Sequence, residues 1–271
     1  MLYRKIAPSP LLQPFVECYY LWEYRQAPGR QLLVESPPNG YASMVFNYGD
    51  SYQIFNPRLQ GITVPQAFLS GQSTRSYRLS LQGHTGMVGV VFKPAGMSSL
   101  FGLPMYEYSD QRTALSDVLG SAADELSERI CEARTHRERI GLTEAFLLRR
   151  LSVGNVAYGR LNYAADLIVS RNGMIPLNEV IDEVFLCRRQ FERKFLQQIG
   201  VSPRYYARIR RVGFVCAQLA ANRWQVRDWH DFIHTAGYYD QSHFIKDFAE
   251  FIGEKPSQYV KQNIELAHFL E

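Results

Sequence analysis

A short stretch in the C-terminal half of the chain concentrates basic side chains. Residues 186–211 contain the single acid Glu192 and eight basic residues: Arg188, Arg189, Arg193, Lys194, Arg204, Arg208, Arg210 and Arg211. Eight positive charges and one negative charge give this stretch a net charge of +7, whereas the whole chain has +4. Because a DNA duplex carries one phosphate charge per ~1.7 Å of its axis, such a cluster favours binding to nucleic acid. The alternative is an ordinary solvated basic face.

Two phenylalanines four residues apart indicate how the basic stretch folds. Phe191 and Phe195 share one face of a predicted helix over residues 187–197, since residues i and i+4 lie above one another. The opposite face then presents the basic side chains to solvent. An exposed arginine can bind guanine O6 and N7 in the major groove. The spacing therefore predicts a recognition helix.

The residues around this helix predict a complete helix-turn-helix unit. Pro176 is favoured in the first turn of a helix, and an apolar stripe follows it. The stripe consists of Leu177, Val180, Ile181 and Val184. Gly200 and Pro203 end the recognition helix, and residues 204–219 predict one longer helix after it.

The same layout recurs nearer the C-terminus. An apolar stripe over residues 226–235 precedes Gly237, which suits a sharp turn between two helices. Asp240 is a favourable N-cap for a second helix over residues 241–250. The two phenylalanines of that helix, again four apart, are Phe244 and Phe248. The chain thus predicts two helix-turn-helix units.

The N-terminal half follows a different pattern. Short segments of aromatic and β-forming residues alternate with turn residues, which predicts strands. These segments are residues 15–24, 44–48, 75–82 and 86–94. Closely spaced short strands favour a β-barrel or sandwich over about residues 1–110. Helix-forming segments follow at residues 122–133 and 142–151.

Composition excludes several classes of protein. The chain of 271 residues is 46% hydrophobic and 21% charged, which is ordinary for a globular protein and excludes a disordered or fibrous one. It has no run near the ~18 apolar residues of a membrane span and no apolar secretory signal, so we expect a cytoplasmic protein without membrane contact. The four cysteines are too widely spaced for a metal knuckle or a redox pair.

The C-terminal pattern resembles the AraC/XylS family of bacterial transcription regulators. The resemblance covers about residues 158–262 and rests on Gly-Tyr-Tyr-Asp-Gln-Ser-His-Phe-Ile-Lys-Asp-Phe at 237–248 and on Arg-Arg-Gln-Phe-Glu-Arg-Lys-Phe at 188–195. It implies a seven-helix domain whose two units are joined by a long helix. The two recognition helices would enter major-groove segments of double-stranded DNA separated by ~34 Å. RNA polymerase is the further partner that the resemblance implies, with activation and repression both open.

The resemblance assigns DNA contacts to particular residues. In the first unit the exposed positions are Arg189, Gln190, Glu192 and Arg193, flanked by Arg188 and Lys194 as phosphate contacts. In the second unit they are Gln241, Ser242 and Lys246, with His243 in a packing or phosphate role. Arg189 and Arg193 suit base or phosphate contacts, and Gln241 suits an adenine or backbone contact.

Three residues depart from the family pattern. Phe185 stands where the first inter-helix turn usually has glycine, and Cys187 replaces a serine or threonine cap. A left-handed phenylalanine is strained and cysteine is a poor N-cap, which leaves the geometry of this turn open. Lys246 replaces an arginine and acts as a point charge. We therefore predict that the first unit supplies most of the affinity for DNA.

Residues 8–110 resemble an uncharacterised β-rich, cupin-like domain that is often fused to such DNA-binding domains. Its aromatic residues either line a pocket for a small-molecule effector or fill the core; they are Tyr20, Trp22, Phe46 and Tyr48. In a second hypothesis the protein binds DNA constitutively and its β domain only forms a homodimer, aided by apolar positions in residues 122–151. A third hypothesis, a cupin-type enzyme, is disfavoured because a metal site needs two or three histidines and His84 is the only one before residue 131. We therefore predict no catalytic residue, metal or cofactor.

The predicted fold is multidomain, with α and β parts. A β-barrel or cupin-like sensor domain covers residues 1–112, a helical linker covers 113–157, and an all-α DNA-binding domain covers 158–271. Within the last domain, the two helix-turn-helix units lie at about residues 175–203 and 224–256. The function that follows is sequence-specific transcription regulation, modulated by an effector or by dimerisation.

Overall fold

A computed structural model describes residues 2–25, 30–56, 59–154, 156–226 and 228–270. Within these ranges, ten strands lie between residues 2 and 114, and eleven helices lie between residues 96 and 270. The β-rich N-terminal part and the helical C-terminal part confirm the predicted fold class. None of the helices in the described ranges has the length and apolar character needed to cross a membrane.

The strands form two antiparallel sheets. They are β1 (Leu2–Ile6), β2 (Val16–Arg25), β3 (Gln31–Ser36), β4 (Ala42–Asn47), β5 (Gln53–Asn56), β6 (Leu59–Thr63), β7 (Ala67–Ser70), β8 (Tyr77–Gln82), β9 (His84–Phe92) and β10 (Arg112–Ala114). One sheet has the order β1-β2-β9-β4-β7-β10, and the other has the order β3-β8-β5-β6. The strands predicted from the four aromatic and β-forming segments correspond to β2, β4, β8 and β9.

The six-stranded sheet is covered on both faces. Val45, Phe68 and Met87 pack toward the four-stranded sheet, where they meet Ile54 and Leu79 in one apolar cluster. The alternation of strand side chains sends their neighbours to the other face. There the sheet residues pack against helices rather than water, so each strand in the middle of this sheet is apolar on both sides.

Four helices cover that second face. They are α1 (Gly96–Phe101), α2 (Leu115–Leu119), α3 (Ser121–Glu132) and α4 (His136–Val153). Met97, Leu126 and Leu147 are buried in the same cluster as the sheet residues Met44 and Phe46. The segment predicted as a helical linker is therefore packed into the β domain's own core.

Seven further helices surround a second core. They are α5 (Arg160–Ser170), α6 (Leu177–Val184), α7 (Arg188–Ile199), α8 (Pro203–Ala221), α9 (Trp229–Thr235), α10 (Gln241–Ile252) and α11 (Pro256–Leu270). Val180 and Val184 of the first predicted stripe are buried, as is Ile233 of the second. The helix α8 runs between the two units, as the long predicted helix requires, and its buried residues include Ile209, Val212 and Leu219.

Candidate nucleic-acid interface

The first recognition helix, α7, is anchored from one side. Phe191 and Phe195 are fully buried, with ring centroids 5.4 Å apart, and Phe195 also packs against Tyr206 of α8 at 5.6 Å. Because the anchored face is set by these rings, the remaining residues of the helix's first two turns face outward. Arg189 and Arg193 are both exposed there.

The second recognition helix, α10, has the same anchor and a better start. Phe244 and Phe248 are buried, with centroids 5.7 Å apart. The Asp240 carboxylate accepts a hydrogen bond from the backbone N–H of His243 at 2.7 Å, which is the predicted N-cap. The cap satisfies a backbone donor at the helix start that would otherwise lack a partner within the helix.

The residues predicted to contact DNA are all exposed on these two helices. They are Arg188, Arg189, Gln190, Glu192, Arg193 and Lys194 on α7, and Gln241, Ser242, His243 and Lys246 on α10. A groove of about 820 Å³ lies between the helices, and both contribute to its walls. Arg188 and Glu192 line one side, and His243 and Lys246 line the other. Four of the predicted residues therefore line one groove, and the other six are exposed outside its lining.

The turn of the first unit adopts the left-handed geometry that glycine would favour. Phe185 has φ 52° and ψ 43°, and its side chain is 84% exposed. Cys187, at the N-cap position of α7, makes no side-chain capping hydrogen bond within the described chain. The structure thus keeps the usual turn and places a strained residue and a weak cap in it.

Four of the eight basic residues in the charged stretch form hydrogen bonds within the described part of the protein, and one of them is Arg188, whose guanidinium donates to Asn178 Oδ1 at 2.7 Å. Arg208 donates to Asp247 Oδ1 at 2.8 Å and also pairs with Glu250, both on α10. Arg211 donates to the carbonyl of Gly173 at 3.1 Å, and Arg210 donates to the carbonyl of Asn39 in the β domain. The charge available to a ligand is accordingly concentrated on α7 and Arg204.

Asp247 is a structural residue that the sequence did not single out. Its side chain is only 3% exposed and holds α10 against α8 through Arg208. Burial by itself lowers the pKa of Arg208, but the hydrogen bonds that it donates to Asp247 and Glu250 outweigh burial and raise that pKa above its ordinary value. The one signal in the sequence was an acid on the apolar side of a predicted helix, next to Phe248.

The predicted effector residues fall on two different faces of the sheet. Tyr20 and Trp22 line a cavity of about 210 Å³ between the two sheets. Phe46 points away from this cavity and is buried against the helices of the β domain. Tyr48 also lies on that side: its hydroxyl donates to Glu23 at 2.8 Å, and Arg139 lies 3.9 Å from its ring centroid.

The cavity has polar features that the sequence did not reveal. Arg112 contributes to its wall and lies 4.5 Å from the ring centroid of Tyr77. Burial, with nearby Tyr52 and Tyr77, raises the pKa of Tyr20 well above its ordinary value, so its phenol stays neutral. The indole N–H of Trp22 has no hydrogen-bond partner among the described residues. The cavity is thus lined by aromatic rings and by Arg112, and one of its lining residues, Trp22, has an indole N–H without a partner among the described residues.

The described residues contain no group of three or more His, Cys, Asp or Glu side chains that could hold a metal ion. His84 is the only histidine among the first 130 residues. It begins β9, and its backbone N–H donates to Asp50 at 2.7 Å.

Two protein-family models match parts of the chain. Residues 180–262 match a family model described as a helix-turn-helix domain. The chain carries an AraC-type helix-turn-helix domain in this region. Residues 4–114 match a second model, described as a domain of unknown function (DUF6597). No curated protein matches the sequence.

Several solved structures are distantly similar to this chain. ToxT from Vibrio cholerae O395 is 12% identical, with 89% of this chain and 96% of that chain covered and a TM-score of 0.46. ToxT from the same strain, bound to (E)-4-(8-methylnaphthalen-1-yl)but-3-enoic acid, is 12% identical, with coverages of 90% and 99% and a TM-score of 0.46. The AraC-like transcriptional activator CuxR is 12% identical, with coverages of 80% and 94% and a TM-score of 0.26.

Proposed function

We propose that the protein regulates transcription by binding a two-part DNA site in a sequence-specific manner, with α7 and α10 in neighbouring major-groove segments. The observation that carries this proposal is that both helices expose their predicted contact residues while buried phenylalanines hold each helix from the opposite face. Recognition helices contact base edges with residues near their N-termini. Arg189 and Arg193 on α7 and Gln241 on α10 occupy such positions.

The two helices contribute unequally in this proposal. Four exposed basic residues lie on α7, whereas the only lysine or arginine on α10 is Lys246, with Asp247 and Glu250 close by. Counterion release scales with the number of phosphates that a protein neutralises. The first unit therefore supplies most of the binding free energy, and the second adds selectivity.

The test begins with duplexes selected from a random library by the wild-type protein, followed by gel-shift titration. We expect Arg193→Ala to weaken binding by about 10- to 100-fold, as loss of a bidentate base contact does, and Lys246→Ala to weaken it by less. Arg137→Ala, which removes an exposed arginine from α4 in the β domain, serves as the charge-matched control. The reverse order of the two effects contradicts the proposal, as does failure to select any duplex.

We further propose that the cavity between the sheets holds a small aromatic acid that modulates DNA binding. Tyr20 and Trp22 offer stacking surfaces, and Arg112 offers a cation that pairs with a carboxylate. Benzoate and neutral benzamide form a matched probe pair for thermal-shift measurements. We expect benzoate to raise the melting temperature more than benzamide does, and Arg112→Gln to abolish that difference. Equal shifts contradict the proposed role of Arg112, and no shift with either probe, together with effector-free DNA binding, favours the constitutive hypothesis.

A groove on the helical part of the β domain supports self-association. It has a volume of about 430 Å³ between α3 and α4, with Leu119, Leu142 and Phe146 on its walls and the exposed Val153 at its edge. Exposed apolar surface of this kind marks interaction sites. A second copy of the chain is the occupant we propose, and sedimentation of Val153→Glu against wild type tests it. A monomer at micromolar wild-type concentration rules it out.

A further inference from the structure

The β domain contacts the helix that joins the two helix-turn-helix units. Tyr206 of α8 donates through its hydroxyl to the carbonyl of Gly40 at 2.9 Å. Arg210, one turn further along, donates to the carbonyl of Asn39, and its guanidinium lies 4.7 Å from the ring centroid of Tyr41. The segment 37–41 between β3 and β4 is therefore docked on α8.

Close backbone packing accompanies these bonds. Gly40 has φ +80°, and a Cβ there would lie 2.5 Å from Arg210 Cδ. On the helix side, a Cβ at Gly213 would lie 3.1 Å from the carbonyl oxygen of Pro38. Glycine in the middle of a helix costs about 1 kcal/mol relative to alanine, so its use at this position is explained by the approach of segment 37–41.

The first recognition helix is fixed at its C-terminal end. The Ser109 hydroxyl donates to the carbonyl of Gly200, the C-cap of α7, at 2.8 Å. Gly200 has φ +101°, and a Cβ there would lie 2.8 Å from the carbonyl oxygen of Met105. The end of α7 therefore rests directly on the β domain's backbone.

The second recognition helix is fixed at the corresponding end. The backbone N–H of Ser76 in the β domain donates to the carbonyl of Phe251, in the last turn of α10, at 2.7 Å. Carbonyls in the last turn of a helix have no partner within the helix. The β domain thus supplies donors to carbonyls at the C-terminal ends of both recognition helices while it also holds the helix between them.

We infer that the β domain sets the spacing between the two DNA segments that the protein accepts, and that Tyr206 and Arg210 are specificity-determining residues for this spacing. This inference rests on the proposed two-part DNA binding. One inserted base pair moves a half-site by about 3.4 Å and rotates it by about 35°. If α8 were the only connection between α7 and α10, bending of α8 would let the two recognition helices follow such a shift. Because both helices are also bound to the β domain, their relative position is fixed.

The experiment compares full-length variants on the selected duplex and on versions with one base pair added or removed between the half-sites. Tyr206→Phe combined with Arg210→Gln removes the hydroxyl and the guanidinium that form the α8 contact, and it leaves the residues of both recognition helices unchanged. Arg223→Gln, an exposed arginine just beyond α8, is the matched control. Gly213→Leu provides a second route, because its side chain pushes segment 37–41 away without removing a donor.

We expect the wild type and Arg223→Gln to lose about tenfold or more in affinity on the altered spacings. The Tyr206→Phe/Arg210→Gln and Gly213→Leu variants should lose less than threefold while binding the original duplex. Unchanged spacing profiles in both variants overturn the inference and leave the proposed function standing. Absence of any two-part site for the wild type overturns the proposed function instead. Circular dichroism melting confirms that each variant is folded before it is scored.

Discussion

The recognition helices α7 and α10 each have twelve residues and a pair of buried phenylalanines four residues apart, yet they begin and are supported in different ways. The turn before α7 has a left-handed Phe185 and an uncapped start at Cys187, and the exposed face of the helix is basic. Before α10, Asp240 provides a cap, and Asp247 and Glu250 hold the helix to Arg208.

This difference shows that the positive charge and the local stabilising interactions lie on different recognition helices: α7 has more of the charge, and α10 has the cap and the ion pairs. In the second unit, acidic side chains stabilise the helix but offset its positive charge, so its attraction for phosphate is weak. In the first unit Arg189 and Arg193 are exposed to a ligand, and the helix depends on its buried aromatic face and on the β domain at Gly200. Substitutions that exchange these properties test the comparison.

Removing the internal ion pair should have the largest effect on stability. Asp247→Asn leaves the partly exposed Arg208 with only Glu250, and we expect the free energy of unfolding to fall by about 2 kcal/mol. The matched change in the first unit, Glu192→Gln, removes an exposed acid and should change it by less than about 0.5 kcal/mol. Urea denaturation measures both, and equal effects would show that Asp247 has no special structural role.

The helix caps should give effects of intermediate size and opposite sign. Asp240→Ala removes the bond to the His243 N–H and should lower the free energy of unfolding by about 1 kcal/mol. Cys187→Ser introduces a capping hydroxyl and should raise it by about 0.5–1 kcal/mol. If Cys187→Ser is neutral, the start of α7 is not limited by its cap.

The smallest effect is expected at the turn of the first unit. Phe185→Gly relieves a left-handed side chain that is 84% exposed, so little apolar burial is lost. The greater flexibility of glycine in the unfolded chain offsets part of this gain, which leaves about 0.5 kcal/mol. Phe185→Ala keeps a Cβ in the same conformation and is the control. Equal melting temperatures for the two variants would mean that no strain is stored there.

Local spacing was sufficient to predict the DNA-binding half. The i, i+4 phenylalanines, the N-cap Asp240 and the glycine turns are all short-range signals, and the structure confirms the helices that they predict. The sequence was a poorer guide to which basic side chains are available to a ligand. Arg208, Arg210 and Arg211 belong to the predicted basic cluster, but their partners lie between 38 and 171 residues away along the chain.

The β domain shows the same limit. Alternation along a strand predicts that Phe46 and Tyr48 share a face, but it does not say whether that face is also the face of Tyr20 and Trp22. That depends on how β2 and β4 pair on either side of β9, which is a long-range property. The docking of segment 37–41 on α8 likewise has no local signal, apart from two glycines whose purpose appears only in the folded chain.

The most direct test of the unequal division of binding is a gel-shift titration at fixed salt on three duplexes: the selected site, and versions with either half-site scrambled. The half-site of α7 is identified as the one whose base preference is lost in Arg193→Ala. Scrambling that half-site should weaken binding on the order of 100-fold, and scrambling the α10 half-site by about tenfold. An equal or larger loss from the α10 half-site would contradict the account.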